Sequence, residues 1–413
     1  MPRAIEPVPL SKLQAKRIWL AAQGLDTRAP FGAGADAVAE AVAHLGYVQI
    51  DTINVIERSH HHILYTRIPD YRRADLRQAQ SADRSVFEYW THALSYVAAK
   101  DLRFFLPSMR LHRREGHKSY PSVTPADMRK VMRRLREGAL TIRDIDDDVL
   151  VEKSHLWASR KPSKRALQLA FYEGKVTISE RNGMLKTYEL MERHFGWDKL
   201  PKGATATEVT AYLLDRALRA QGVVSLDSAC HLDAPSKPAI RRLIEQRLRR
   251  GELVPVALEG AGKQAHFAAP ETLAVQREDG GLVHILSPFD PLIIQRKRTH
   301  LFFDYEHKFE AYVPKEKRLF GYFALPVLVD DDIVAALDLK TDRQKRKLLL
   351  QQWSWVGEGK RARGEARKVL KRRIEGELHR FERFQLGELR QTSELKEGPS
   401  VRAAVTPLTF TKS

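Results

Sequence analysis

The sequence predicts an α+β chain: three tandem winged-helix units (helix-turn-helix plus wing) followed by a small C-terminal β-barrel. Two observations predict it. A helix-rich pattern closed by a short β segment or hairpin recurs three times, as a repeat of architecture and not of residues. Past Gly281 the texture changes to short strands with turn residues between them. The 413 residues, 43% hydrophobic and 30% charged, suit about three globular domains at roughly 150 residues each.

The elements follow in order. Ser11 with Gln14 three residues later forms a capping box, and the helix it opens carries Leu13, Ile18, Trp19 and Leu20 before stopping at Gly24. A Pro/Gly segment at 30–34 precedes a second helix over 36–45, ended by Gly46. Residues 47–53 then alternate and are β-branched, so they read as extended. Helix, helix, short strand is the start of the first unit. Thr124 as cap, Pro125 at the first helical position and Asp127 in the first turn open the second unit. Its helix over 163–172 leads into a hairpin of 175–179 and 184–188 about Asn182-Gly183. The third runs from Thr207 through a helix over 236–250, with wing strands 253–258 and 265–268. Strands are expected at 300–305, 309–313, 319–329 and 333–339, with Asp330-Asp331-Asp332 as a turn. Residues 360–373 hold eight Lys/Arg against one Glu and read as a helix. The divisions are 1–120, 121–200 and 201–278 for the three units, 279–395 for the barrel with its basic helix, and 396–413 for a loose tail.

Charge narrows the partner. Seventy Lys and Arg face 52 Asp and Glu, a net charge of +18. Such an excess points to nucleic acid, because neutralising phosphates drives sequence-independent binding. No stretch approaches the roughly 20 apolar residues of a membrane span. The single cysteine, Cys230, excludes a disulfide within the chain and a zinc site built on two thiolates. The N-terminus lacks a signal-peptide pattern. The expectation is a soluble, cytoplasmic, nucleoid-associated monomer without metal or cofactor.

Gln49 and Asp51, at i and i+2 on an extended segment, project from one face while Val48 and Ile50 turn inward. A carboxylate beside an amide can hold one water and stabilise positive charge on a sugar; the same spacing also suits the wet face of a strand. The run from Glu57 to His62 includes three adjacent histidines, which on a helix point in different directions and do not chelate together. Arg58, His61, His62 and Tyr65 share a helical face, either a DNA-facing stripe or partly buried histidines. Asp290, Asp338 and Lys340 resemble the carboxylates and lysine of a metal-dependent nuclease. Arg113, Arg114 and Lys118, Lys161 and Lys164, and Arg241 and Arg242 lie in basic runs on the successive units, as a phosphate-tracking surface requires.

The segment Gly46-Tyr47-Val48-Gln49-Ile50-Asp51-Thr52-Ile53, continuing to His61, resembles the bacterial tandem winged-helix DNA glycosylases, the YcaQ (AlkX) and AlkZ family. Further matches are Ala22-Gln23-Gly24-Leu25, Glu88-Tyr89-Trp90-Thr91-His92-Ala93, Ser287-Pro288-Phe289-Asp290-Pro291, Arg318-Leu319-Phe320-Gly321-Tyr322 and Asp338-Leu339-Lys340. The resemblance implies a concave, DNA-sized surface, damaged double-stranded DNA as partner, and hydrolysis of the N-glycosidic bond of N7-alkylguanine, including the unhooking of nitrogen-mustard crosslinks. It implies Gln49 and Asp51 as the catalytic pair. Gln-Ile-Asp matches the YcaQ-like branch and departs from the Gln-x-Gln of the AlkZ branch. It also implies that Asp290, Asp338 and Lys340 are structural. Two rival readings predict different products: a non-enzymatic DNA-binding regulator releases no base, and a nuclease cuts strands in a chelator-sensitive way.

Overall fold

We describe a computed structural model of the chain over residues 6–147, 150–153, 159–199, 201–274 and 280–394. The sequence cues act locally much as expected. Ser11 Oγ accepts from the Gln14 amide at 3.2 Å and caps the helix Lys12–Ala22. Thr124 and Asp127 close a reciprocal capping box on Pro125–Glu137. The turn at Gly183, φ +60°, joins Val176–Asn182 to Leu185–Leu190 with Asn182 opposite Leu185.

A helix, a short strand, one or more further helices and a two-stranded hairpin occur three times in succession. The first set is Gly34–Leu45, Val48–Gln49, Ser59–Tyr65 and Arg73–Arg77, then Val86–Trp90 with Leu94–Ala98. The second is Pro125–Glu137, Leu140–Thr141 and Pro162–Tyr172, then Val176–Asn182 with Leu185–Leu190. The third is Ala206–Gln221, Val223–Ser225, Leu226–Ala229 and Lys237–Arg249, then Val254–Leu258 with His266–Ala268. In each, the short strand pairs with the last strand, which sits in the middle of the sheet.

Two early expectations change here. Only Val48–Gln49 of the extended segment is strand; after Ile50 N bonds Leu94 O at 2.8 Å the chain leaves the sheet. The helix Lys12–Ala22 does not open the first set. Its Ile18, Trp19 and Leu20 share a core with Val223, Phe302 and Phe303, and the preceding Val8–Leu10 adds a parallel strand to Val254–Leu258. An apolar helical stripe announces that a face is buried, not which surface will cover it.

The C-terminal strands Val283–Ile285, Ala324–Val329, Asp332–Asp342 and Lys347–Trp355 form an antiparallel sheet in that order. The first and last do not pair, so the expected barrel is not closed. Ile374, Leu378 and Phe381, at i, i+4 and i+7 of the helix Gly364–Glu394, pack with this sheet and with the helices Gly34–Leu45 and Ser59–Tyr65 in one core. That cover buries the sheet's apolar residues without closure. The expected strand at 300–305 is instead the end of a helix, Arg296–Phe303, which buries Arg298, Thr299, Phe302 and Phe303. A short apolar run such as Leu301-Phe302-Phe303 does not distinguish the two. No strand forms at 309–313. Asp330 to Asp332 is the expected turn, and its carboxylates pair with Arg373, Arg17 and Lys16. The expected tail, 396–413, lies outside the described residues. Among the described residues no helix is long and apolar enough to cross a membrane.

The second set is fastened to the first by a buried ion pair, Arg181 with Glu88, whose NH2 to Oε2 distance is 2.6 Å. Gln80 reinforces it, donating to Ile178 O at 2.9 Å.

Candidate active site

Gln49 is placed by backbone pairing, opposite Ser95 of Leu94–Ala98, and by Ser59 Oγ, which donates to its carbonyl at 2.9 Å. Its side chain is fixed from above. The turn between Val86–Trp90 and Leu94–Ala98 is closed by Thr91 N to Ala93 O, 2.9 Å, and presents His92, whose Nε2 lies 3.1 Å from Gln49 Oε1. Burial, then His231 and Arg216, push the His92 imidazolium down to about 4, so the ring is neutral at physiological pH. A neutral imidazole carries one N–H. With the amide oxygen as acceptor, that proton sits on Nε2, and the Gln49 amide N–H groups remain free to donate. Tyr47 meets the His92 ring edge-on at 4.8 Å between centroids.

Asp51 stands where the strand has ended. Oδ1 accepts from Ile53 N at 2.7 Å, an Asx turn that holds the carboxylate against its own backbone. Oδ2 carries no bond among the described residues. The group is half-buried, and burial raises its pKa above the usual aspartate range, opposed only in part by the Ile53 amide. The loop that carries it is tied to the C-terminal sheet. Thr341 N donates to Val55 O at 3.0 Å, and Arg343 donates to Asn54 Oδ1 at 2.8 Å and Ile56 O at 3.0 Å. Two parts of the chain nearly 300 residues apart thus hold the carboxylate in place.

Of the neighbouring histidines, His60 and His62 are buried. His62 is 1% exposed, its Nε2 on Ile285 O at 2.7 Å and its ring against Phe381. It does not reach a phosphate, and Tyr65 is likewise buried, so the expected DNA-facing stripe is corrected. His61 Nδ1 bonds Tyr71 OH at 2.6 Å. Burial and the adjacent arginines hold His60 and His61 well below the ordinary imidazole range. Arg58 is half-buried. Arg113 donates to the carbonyls of Glu173 and Gly174, clasping the end of Pro162–Tyr172. Arg114, Lys118, Lys161, Lys164, Arg241 and Arg242 are exposed.

The nuclease-like constellation has other duties. Asp290, fully buried, pairs with Arg67 at 2.7 and 3.0 Å and caps Pro291–Ile294. Asp338 accepts from the amides of Tyr322 and Phe323 at 2.8 and 3.2 Å. Lys340 is exposed. Their lone pairs are committed to structure.

Sequence reasoning missed His92. It lies in a segment the family resemblance already marks, Glu88 to Ala93, but nothing in its spacing from Gln49 reveals the contact. Thr341 and Arg343 carried no signal, because what they support is 285 or more positions away.

The arrangement sets an amide held by a histidine near a half-buried carboxylate, on a basic repeat architecture. Residues 42–384 match the family model described as DNA glycosylase AlkZ-like. The chain belongs to the AlkZ-like DNA glycosylase family and is a DNA-repair glycosylase that binds DNA as its substrate. The solved structure of Streptomyces sahachiroi DNA glycosylase AlkZ has the same fold: TM-score 0.59 at 18% identity, covering 92% of this chain and 97% of that one.

Proposed function

We propose that this protein hydrolyses the N-glycosidic bond of N7-alkylguanine in double-stranded DNA and unhooks crosslinks made through that position, with Asp51 and Gln49 as the catalytic pair. It belongs on this reading to the branch that carries Gln-x-Asp. The observation that carries the proposal is Asp51, a half-buried carboxylate with one oxygen unbonded, two residues from an amide locked by His92.

Alkylation at N7 leaves the guanine cationic, so the base is already a good leaving group. The bond from the sugar C1′ to N9 breaks, and its electron pair neutralises the base. The enzyme then needs negative charge beside the oxocarbenium-like sugar and a water aimed at C1′. Asp51 supplies the charge and takes the water's proton; the Gln49 N–H groups orient that water. The three repeated sets act as winged helices, with the exposed Arg114, Lys118, Lys161, Lys164, Arg241 and Arg242 on the phosphates.

A duplex carrying one N7-methylguanine tests this. Base release, read by alkaline cleavage, is expected to survive EDTA and to leave an intact abasic site until alkali is added. Strand cutting without alkali, lost with EDTA, would replace this reading with a nuclease. Tight binding without release would replace it with a non-enzymatic DNA binder.

Two further outcomes follow. Because burial raises the Asp51 pKa, the ionised base is lost as pH falls. kcat/KM is expected to climb with pH through a single limb that lies above the ordinary aspartate range. A rate independent of pH across the mildly acidic range contradicts Asp51 as the base. Replacing Arg241 and Arg242 together by Ala is expected to lower the slope of log affinity against log salt by about 1–2, leaving the rate on saturated DNA unchanged. An unchanged slope in an anisotropy titration removes those two residues from the interface.

A further inference from the structure

Beside Gln49, a cavity of about 330 Å³ opens between the first hairpin, the helix Ala206–Gln221 and the turn that follows Leu226–Ala229. His92 belongs to both places: its ring lines the cavity and its Nε2 holds Gln49 Oε1. Pockets for small ligands start at roughly 300 Å³, so this one has room for a bicyclic base with a small alkyl group. Its walls are aromatic, with Tyr47, Tyr89 and Phe104 among them. Trp90, 47% exposed, also lines it and leaves a large ring available to solvent. Flat aromatic faces stack on any nucleobase.

The polar atoms in the wall point to one kind of base. Gln221 is only 8% exposed, lines the cavity, and its Oε1 has no hydrogen-bond partner among the described residues. His231, on the same wall, has a buried Nε2 with no partner among the described residues. Burial lowers the pKa of this ring and so favours its neutral form, in which one of the two nitrogens is an acceptor. A buried acceptor without a donor is destabilising, and a ligand with adjacent N–H groups relieves it. Guanine presents two such donors, N1–H and the exocyclic amino group; adenine presents an acceptor at N1 beside its amino group. The charged groups on the wall, Arg216 and Asp233, are one of each sign. That suits a base that has become neutral by leaving the sugar.

We propose that this cavity is the receiving site for the released 7-alkylguanine, held by stacking on Trp90 and by its N1–H and amino donors on Gln221 Oε1 and His231 Nε2. The inference rests on the glycosylase reading above for its ligand. A crosslinked guanine is tethered to the opposite strand and reaches the cavity only as far as that tether allows. The departing base is carried away from C1′, which hinders its recombination with the sugar.

The test titrates the full-length protein with free 7-methylguanine in a calorimeter, without DNA. Wild type is expected to bind one equivalent, and adenine at least tenfold more weakly. Gln221→Leu, which keeps the volume and removes the acceptor, is expected to weaken 7-methylguanine about tenfold. Ala229→Phe, which fills the cavity from its wall, is expected to abolish saturable binding; circular dichroism and melting establish that each variant is folded. Free 7-methylguanine is expected to inhibit base release by wild type. Absence of saturable binding, equal affinity for adenine, or wild-type affinity in both variants overturns the proposal. The duplex assay separates the two readings. Release of base without binding of the free base removes the receiving site and keeps the glycosylase reading. Binding without release keeps the cavity as a guanine site and removes N7-alkylguanine excision.

Discussion

Asp51→Asn is expected to slow release of N7-methylguanine by about 10²–10⁴-fold, the range for losing a positioned general base, while changing affinity for the damaged duplex by less than about threefold. The two halves follow from the same geometry. Asparagine is close to isosteric, and its amide oxygen still accepts from Ile53 N as Asp51 Oδ1 does at 2.7 Å. The loop, tied to the C-terminal sheet through Thr341 and Arg343, keeps its shape. On the proposed mechanism, what is lost is the negative charge beside the sugar and the acceptor for the water's proton. Because an N7-alkylated base departs without general-acid help, most of the catalysis available to the protein is of this kind. Single-turnover rates with saturating enzyme separate chemistry from binding. A rate equal to wild type would sink Asp51 as the catalytic carboxylate, and a large loss of affinity would recast it as a DNA contact.

The second large effect concerns stability. Arg67→Met is expected to cost roughly 3–5 kcal/mol, the usual loss when one partner of a buried ion pair is removed. Both side chains of the Arg67–Asp290 pair are fully buried. The Arg67 guanidinium donates to Asp290 at 2.7 and 3.0 Å, to Gln23 O at 2.8 Å and Gln23 Oε1 at 3.1 Å, and to Thr66 Oγ1 at 3.0 Å. It therefore joins the end of Lys12–Ala22, the end of Ser59–Tyr65 and the start of Pro291–Ile294. Removing it leaves a carboxylate in the core with no cation, and three segments far apart in sequence lose their common donor. The double variant Arg67→Met/Asp290→Leu is expected to be more stable than Arg67→Met alone, because it removes the stranded charge. Urea unfolding monitored by circular dichroism measures both. A loss below about 1 kcal/mol for Arg67→Met would mean that water reaches Asp290.

The family resemblance was legible because it rests on short segments in a fixed order. Gln49-Ile50-Asp51 stands in order with Glu88 to Ala93 and with Ser287 to Pro291, and the family match spans the same stretch. Other sequence readings failed for definite reasons. Arg58, His61, His62 and Tyr65 on one helical face read equally as a DNA-facing stripe or as partly buried histidines. Which it is depends on whether another element covers them, and Ile285 and Phe381 cover His62. Asp290 and Asp338 looked like metal ligands because carboxylates near strand ends have that spacing; their partners, Arg67 and the amides of Tyr322 and Phe323, come from elsewhere in the chain.

By itself the sequence determined what local physics determines. Caps at Ser11 and Thr124, the Asn182-Gly183 turn, the apolar periods and the basic excess each act over a few residues or through bulk charge. They specified helices, a hairpin and a class of partner. Only the tertiary structure decided that the helix Lys12–Ala22 joins the third repeat and not the first, that the C-terminal sheet stays open beneath the long helix, and that His92 holds Gln49 beside an aromatic cavity. Those outcomes depend on which buried faces meet, and a face carries no address in the sequence: shape, pairing of buried polar atoms and exclusion of water choose its partner only once the chain has come together.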